Sequence, residues 1–318
     1  MISNSELIKQ FEVDCKTRGL AEQTISSYII KTRAFSNWLD GRSLLEIDRL
    51  ILKQYINHLR DKNRKAKTLN TAFDAIGAMF SFLEDEELIK SNPVPKIRRR
   101  CLSVYKDEKQ LRQVISIEDA GRFVNSLVSS RDRAIATLLF KTGIRINELI
   151  TLDLKDIDWK EQSITLKRTN KRSNRVVFFD KECAKVLQLW IDQRKKWNAA
   201  TPALFIDKRN NRIRCDVIER WWRDNAEELG LYKIGATELK DKFTPHCCRH
   251  WFETHLRKAG MPREFRKELR GDSRREAIDL YDHIDLTELK DAYLNCMPEL
   301  GIRLYWSPLQ GDIRPLPA

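Results

Sequence analysis

No run of about 18 apolar residues occurs in this chain, so a helix spanning a lipid bilayer is not expected. The opening stretch "MISNSELIKQ" lacks the apolar centre of a secretory signal, and the expected location is the cytoplasm. The seven cysteines (Cys15, Cys101, Cys183, Cys215, Cys247, Cys248 and Cys296) form no CxxC pair, which argues against a zinc site and for reduced, mostly buried thiols. There is no glycine-rich phosphate loop, no metal-ligand cluster, no internal repeat and no low-complexity tract. Neither a metal nor an organic cofactor is expected.

What the chain has in excess is positive charge. With 59 Lys and Arg against 46 Asp and Glu, its formal net charge of +13 suits a polyanionic partner better than a membrane. Its 318 residues exceed what one compact core usually holds, and 42% hydrophobic content is enough to fill two. The first hundred residues read as four helices, because apolar positions recur at helical spacing: Ile25, Tyr28, Ile29, Thr32, Phe35 and Leu39, then Leu69, Ala72, Phe73, Ile76, Phe80 and Leu83. "DGRS" and the basic "RDKNRKAK" separate helices, and Asn92, Pro93 and Pro95 are expected to end helical structure. From Lys90 to Arg112 there are eight Lys or Arg and two acids, a composition suited to a connector crossing a phosphate backbone or simply to a solvated linker.

Beyond this the pattern changes. Helices are expected at "IEDAGRFVNSLV" and "RDRAIATLLFKTG", with Gly143 as a C-terminal stop. "DIDWKEQSITLKRTNKRSNRVVFF" is rich in β-branched and aromatic residues around a basic turn, as in a small antiparallel sheet. Further helices are expected at "KECAKVLQLWIDQRKKW", "VIERWWRDNAEELG", "PHCCRHWFETHLRKAG", "PREFRKEL", "RREAIDLYDHI" and "LTELKDAYLNC". The fold class is therefore mainly α with a small antiparallel β-sheet. The expected division is a helical domain over 1–92, a basic linker over 93–114, a mixed α+β domain over 115–285, and a C-terminal helix and tail over 286–318.

Three stretches offer cations or donors suited to a phosphate. In "TGIRINEL", Arg145 opens a helix and Glu148, three positions on, is placed to hold its guanidinium. In "TNKRSNR", Lys171 sits at a hairpin tip, where a lysine beside a leaving oxygen can act as general acid; Lys167 is the rival. In "FTPHCCRHWF", Thr244 is the expected N-cap and Pro245 the first helical residue. His246 and Arg249 then share one face near the helix N-terminus, where the dipole favours an anion. Each stretch alone reads better in ordinary terms, as a surface salt bridge, a solvated lysine, and a capping histidine with a surface arginine. A fourth, "ELRGDSRREAIDLYDH", places Tyr281 nine positions after Asp272. A phenol, with a pKa of about 10, is a weak nucleophile unless nearby cations favour its anion and the charge on the phosphate it attacks. Ile278 and Ile284 also give this helix an apolar side that Tyr281 could edge.

Taken together, "TGIRINELITLDLKDID", the basic hairpin, "TPHCCRHWFETHLRKAG" and "LRGDSRREAIDLYDHI" resemble the tyrosine recombinases, or phage-type integrases, in order and spacing. The resemblance implies a helical core-binding domain followed by a catalytic domain. It implies Arg145 and Arg249 on the scissile phosphate, His246 in hydrogen bonding and proton transfer, Lys171 as the hairpin lysine and Tyr281 as the nucleophile. It further implies double-stranded DNA as partner, a 3'-phosphotyrosyl intermediate, and a homo-tetramer on two DNA sites. Where that family usually has a histidine or tryptophan after "LG", this chain has "LRGD". Asp272, an acceptor only, thus stands at a donor's position. Either Asp272 orients Arg249 or another cation, or Arg270 or His250 supplies the donor, or the enzyme is slow. "LRGD" followed by "YDHID" looks like an archaeal branch of the family. A DNA-binding protein of this fold without cleavage and a type IB topoisomerase-like activity are the alternatives. The tail with Leu304, Tyr305 and Trp306 is expected to dock on a neighbouring subunit or on its own domain.

Overall fold

The structure, a computed structural model, describes residues 2–103, 112–167, 175–271 and 284–303. They belong to two compact units, one reaching Lys109 and the other starting at Gln110.

The first unit is built on α1 (Asn4–Thr17), α2 (Glu22–Trp38), α3 (Arg49–Asp61) and α4 (Ala66–Asp85). Capping defines the starts: the Asp48 carboxylate accepts the Leu50 and Ile51 N–H groups, both at 2.9 Å, satisfying donors that α3 leaves open. The periodic residues Leu69, Phe73, Ile76, Phe80 and Leu83 of α4 are all buried, and with Phe11, Phe35 and Leu52 they form the core. Pro93 and Pro95 do not end helical structure here. Pro93 is the N-cap of a short helix, α5 (Val94–Ile97), which runs on into a wider π turn over Arg98–Leu102. Proline costs nothing in a first helical turn, where its missing N–H has no intrahelical partner, and Asn92 Oδ1 takes the Val94 N–H at 2.9 Å. Val94, Ile97 and Leu102 are buried in the core of the first unit.

The second unit contains α6 (Ile117–Ser126), α7 (Ser130–Thr142), α8 (Ile146–Ile150), β1 (Ile157–Asp158), β2 (Ser163–Leu166), β3 (Arg175–Phe178), α9 (Lys181–Lys195), α10 (Cys215–Glu228), α11 (Pro245–Lys258), α12 (Arg263–Arg270) and α13 (Leu286–Cys296). The strands form one antiparallel sheet in the order β1-β2-β3, with Ile164 opposite both Ile157 and Val177. α7 is the central element, packed by α9 and α11 and buried along nearly its whole length. Its Phe140 sits among Trp222, Phe243 and Trp251, with Phe123 packed on Trp222; ring centroids are 4.6 Å apart for Phe123–Trp222 and 5.0 Å for Phe140–Trp251. All seven cysteines are free.

The chain after α12 returns to α7. Tyr293 of α13 donates its hydroxyl to the Lys141 carbonyl at 2.8 Å. Lys141, with no exposed side-chain surface, is held by Asp180 at 2.6 Å and Glu182 at 2.7 Å and donates to the Pro298 carbonyl at 2.7 Å. Glu182 in turn accepts the N–H groups of Leu300 (2.9 Å) and Ile302 (2.7 Å). Asn125 Oδ1 takes that of Arg303 at 2.9 Å. Residues 286–303 thus lie on their own domain. The helix expected at "RREAIDLYDHI", up to His283, and the residues Leu304, Tyr305 and Trp306 are outside the described residues. Among the described residues no helix is long and apolar enough to cross a membrane.

Candidate active site

α7 stops at Gly143 because the next turn needs a left-handed backbone (φ +60°) against the Phe252 ring, which a Cβ would approach to 2.6 Å. That turn delivers Arg145 to the N-cap of α8. Glu148 reaches back to it mainly through the main chain: Oε2 accepts the Arg145 N–H at 2.7 Å, whereas the guanidinium Nη1 stands 3.5 Å from Oε1. The tighter grip belongs to Arg175, the first residue of β3. Its Nη1 and Nη2 meet Oε1 and Oε2 at 2.7 and 3.0 Å in a two-pronged pair. Burial works to raise the Glu148 pKa, but the hydrogen bonds and charge of Arg175, together with the Arg145 N–H, more than offset it and hold the carboxyl below its ordinary value.

α11 supplies the next groups. Thr244 takes the N-cap position with extended backbone, Pro245 follows at the first helical residue, and the Thr244 N–H points to Cys247 Sγ at 3.4 Å. Arg249, only 4% exposed, donates from Nη1 to the Gly143 carbonyl at 2.9 Å and from Nη2 to the Arg270 carbonyl at 2.6 Å. His246 keeps solvent access at the edge of the site. What burial its ring has, reinforced by the positive charges of Arg112, Arg249 and Arg145 and by His250, lowers its pKa to about 4. The His250 ring lies 5.2 Å away, centroid to centroid. Neutral at physiological pH, His246 has one ring nitrogen to accept a proton and one to donate.

Two arginines from different elements fix the end of α12. Arg175 Nε donates to the Leu269 carbonyl at 3.1 Å and Arg249 to that of Arg270, satisfying carbonyls that a helix C-terminus leaves open and placing cations where its dipole favours them. Gly271 follows with φ +59°, and a Cβ there would come within 2.8 Å of the Arg175 side chain. The glycine of "LRGD" is therefore required by space as well as by backbone conformation. Arg270 extends its guanidinium to Glu253 at 3.3 Å.

Arg145, His246 and Arg249 are thus brought into one neighbourhood: Arg249 holds the Gly143 carbonyl at 2.9 Å, two residues before Arg145, and His246 lies one turn before Arg249 on α11. Lys171, Asp272 and Tyr281 lie outside the described residues. Lys167, the rival hairpin lysine, is engaged with Asp153 at 2.6 Å and the Thr151 carbonyl at 2.7 Å. The sequence pattern assigns no role to Arg175 or Arg112. For Arg175 the available signal was an arginine on the same face of a strand as Val177 and so directed at the core.

The Phage integrase family profile matches residues 106–288, and that described as Phage integrase, N-terminal SAM-like domain matches residues 7–90. The chain belongs to the phage integrase family of tyrosine recombinases. Among the family's curated members, the tyrosine recombinase XerC of Thermodesulfovibrio yellowstonii is 27% identical over 288 residues, 87% of this chain and 90% of its own length. XerC of Haemophilus influenzae is 26% identical over 289 residues, 88% and 93% of the two chains. Among solved structures, a lambda integrase tetramer bound to a Holliday junction aligns with a TM-score of 0.68 at 16% identity, over 90% of this chain and 81% of that one. The Tn1549 transposon integrase in complex with circular intermediate DNA aligns with a TM-score of 0.64 at 19% identity, over 90% and 98%. The integrase fold, a helical N-terminal domain and a catalytic domain with a small antiparallel sheet, is the fold of this chain.

Proposed function

We propose that this chain is a site-specific DNA recombinase that breaks and rejoins strands through Tyr281. The observation that carries the reading is that Arg249 of α11 holds the Gly143 carbonyl at 2.9 Å, which sets Arg145, two residues on, beside the α11 face that bears His246 and Arg249. Arg145 and Arg249 bind the non-bridging oxygens of a backbone phosphate and stabilise the charge that develops there. The Tyr281 oxygen attacks phosphorus, forming a 3'-phosphotyrosyl bond as the bond to the 5'-oxygen breaks. The phenol proton passes to the neutral imidazole of His246, and the leaving oxygen takes a proton from Lys171 to become a hydroxyl. A 5'-hydroxyl from another strand reverses the step, so the bond energy is conserved. Lys171 is preferred to Lys167 because the latter already holds Asp153 and the Thr151 carbonyl.

The helical domain expected over 1–92 and the catalytic domain expected over 115–285 both bind the duplex, and basic side chains of the intervening 93–114, whose Val94, Ile97 and Leu102 pack into the first unit's core, meet phosphates. The partner is double-stranded DNA, and the working assembly is a homo-tetramer on two sites, as the lambda integrase tetramer on a Holliday junction suggests by analogy of fold. The cytoplasm is the expected compartment. Asp272 orients a neighbouring cation, since a carboxylate facing a phosphate unpaired would be costly, and "LRGD" marks an archaeal-like branch; an Asp272→Asn variant that cleaves as fast as the wild type would remove that role.

The deciding experiment is a suicide DNA substrate whose cleaved end cannot religate. The wild type accumulates a covalent complex and Tyr281→Phe binds the DNA without forming one. A covalent adduct mapped to any residue other than Tyr281 overturns the assignment, and the absence of any adduct favours a DNA-binding protein that does not cleave.

A further inference from the structure

A cavity of 540 Å³ opens between the turn joining α6 to α7 and the outer side of α9, lined by Val128, Arg133, Leu189, Trp190, Trp197 and Arg303 among others. Its apolar lining is uncovered: Val128 is 63% and Leu189 47% exposed. Its polar lining is incomplete. Arg133 is only 8% exposed, yet it forms no ion pair among the described residues, and its Nε has no hydrogen-bond partner. Its Nη2 turns to Asn125 Oδ1 at 3.4 Å and to the Arg303 carbonyl. A buried guanidinium donor without an acceptor is costly, so the cavity lacks a group that accepts a hydrogen bond as well as one that covers apolar surface.

We propose that this groove seats the chain's own next residues, Leu304, Tyr305 and Trp306. The segment leading there is already tracked onto the domain: Glu182 holds the N–H groups of Leu300 and Ile302, and Asn125 holds that of Arg303. Gly121 has no side chain where the Leu300 carbonyl passes, so α6 makes room for the track. Arg303 itself lines the groove, and three further residues span at most about 10 Å, which keeps the two aromatic rings within it. A main-chain carbonyl of the segment completes Arg133 as the Arg303 carbonyl already does in part. Tyr305 and Trp306 cover Val128 and Leu189 beside Trp190 and Trp197. The tail then runs the length of α7, from Lys141 near its C-terminal end to Arg133 near its start. It braces the helix whose last turn presents Gly143 and Arg145.

The occupant is tested without DNA, so the outcome is independent of the recombinase reading. Trp306 is replaced by a photo-crosslinking benzoylphenylalanine in the full-length chain, and equal amounts of heavy-isotope-labelled and unlabelled protein are mixed and irradiated. The expected adducts join position 306 to the peptides carrying Val128 or Leu189 within chains of a single isotope. Mixed-isotope adducts would mean that a second copy fills the groove; adducts elsewhere, or none, would mean that the tail does not. Either result overturns the proposal. Leu189→Glu, at a position already open to solvent and checked for folding by circular dichroism, is expected to lose the adduct, and its persistence there would equally count against this seat.

Discussion

Removing Arg175 while keeping its size and apolar stem, as in Arg175→Met, leaves the Glu148 carboxylate buried with the Arg145 N–H and a guanidinium contact at 3.5 Å. The side chains of Arg175 and Glu148 are 5% and 10% exposed, so water cannot take over the lost charge pairing. Breaking a buried pair on one side typically costs about 3–5 kcal/mol, a large part of the roughly 5–15 kcal/mol that holds a domain folded. At a denaturant slope of about 2 kcal/mol/M, the urea midpoint of the catalytic domain should fall by about 1.5–2.5 M. The double variant Arg175→Met, Glu148→Met should recover much of this, because no charge is then stranded, and the mutant cycle should give a coupling of roughly 2–3 kcal/mol. Lowering the pH supplies the same perturbation without mutation. The folded Glu148 pKa lies below its ordinary 4.5, so the pair's contribution is complete above about that pH and is lost as the pH falls through the folded value. The gap between wild type and Arg175→Met should therefore narrow in acid. A loss below about 1 kcal/mol at neutral pH, or a gap independent of pH, would show that the pair does not hold the site together.

Arg249→Lys keeps the charge but cannot span the Gly143 and Arg270 carbonyls as a fork does; single-turnover cleavage should slow by at least about 100-fold while DNA affinity changes little, measured by quench and by gel shift respectively. The His246 imidazole should titrate near pH 4 in the free protein by NMR and at higher pH once a phosphodiester sits beside it, so DNA binding between about pH 5 and 6 should take up protons; a calorimetric signal independent of buffer ionisation enthalpy would contradict this. Since the lowered folded pKa disfavours protonation, His246 should also weaken stability progressively as the pH falls from 6.5 toward 4. Lys171→Ala should slow cleavage, and a 5'-bridging phosphorothiolate, whose leaving group needs no proton, should restore it; Lys167→Ala should leave cleavage near normal and cost at most about 1 kcal/mol of stability, since that lysine is partly exposed.

Much of the helical layout was legible because core-facing positions repeat every three or four residues, as in α4, and because Gly143 and Thr244-Pro245 mark a stop and a start by their own conformational limits. Pro93 and Pro95 misled because proline excludes a helix interior and not a first turn. Spacing showed that His246 and Arg249 share a helix face, and that Glu148 reaches back to Arg145. It could not show that Arg175, 27 positions later, takes most of Glu148, because that pairing exists only once β3 lies beside α8 and α12. Lys167 and Asp153 are likewise paired through the fold rather than along a helix.

The end of α12 is pinned through its two last carbonyls, and the start of α13 is fixed by Asp285, which accepts the Thr287 and Glu288 N–H groups at 2.6 and 3.2 Å. Tyr281, the proposed nucleophile, falls in sequence between these two quays. The contacts at both quays would survive an inserted or deleted residue between Gly271 and Asp285, so the change falls on the stretch that carries Tyr281. On the proposed mechanism the number of residues there matters as much as their identity, and loop-length variation, harmless on most protein surfaces, would act on the proposed nucleophile.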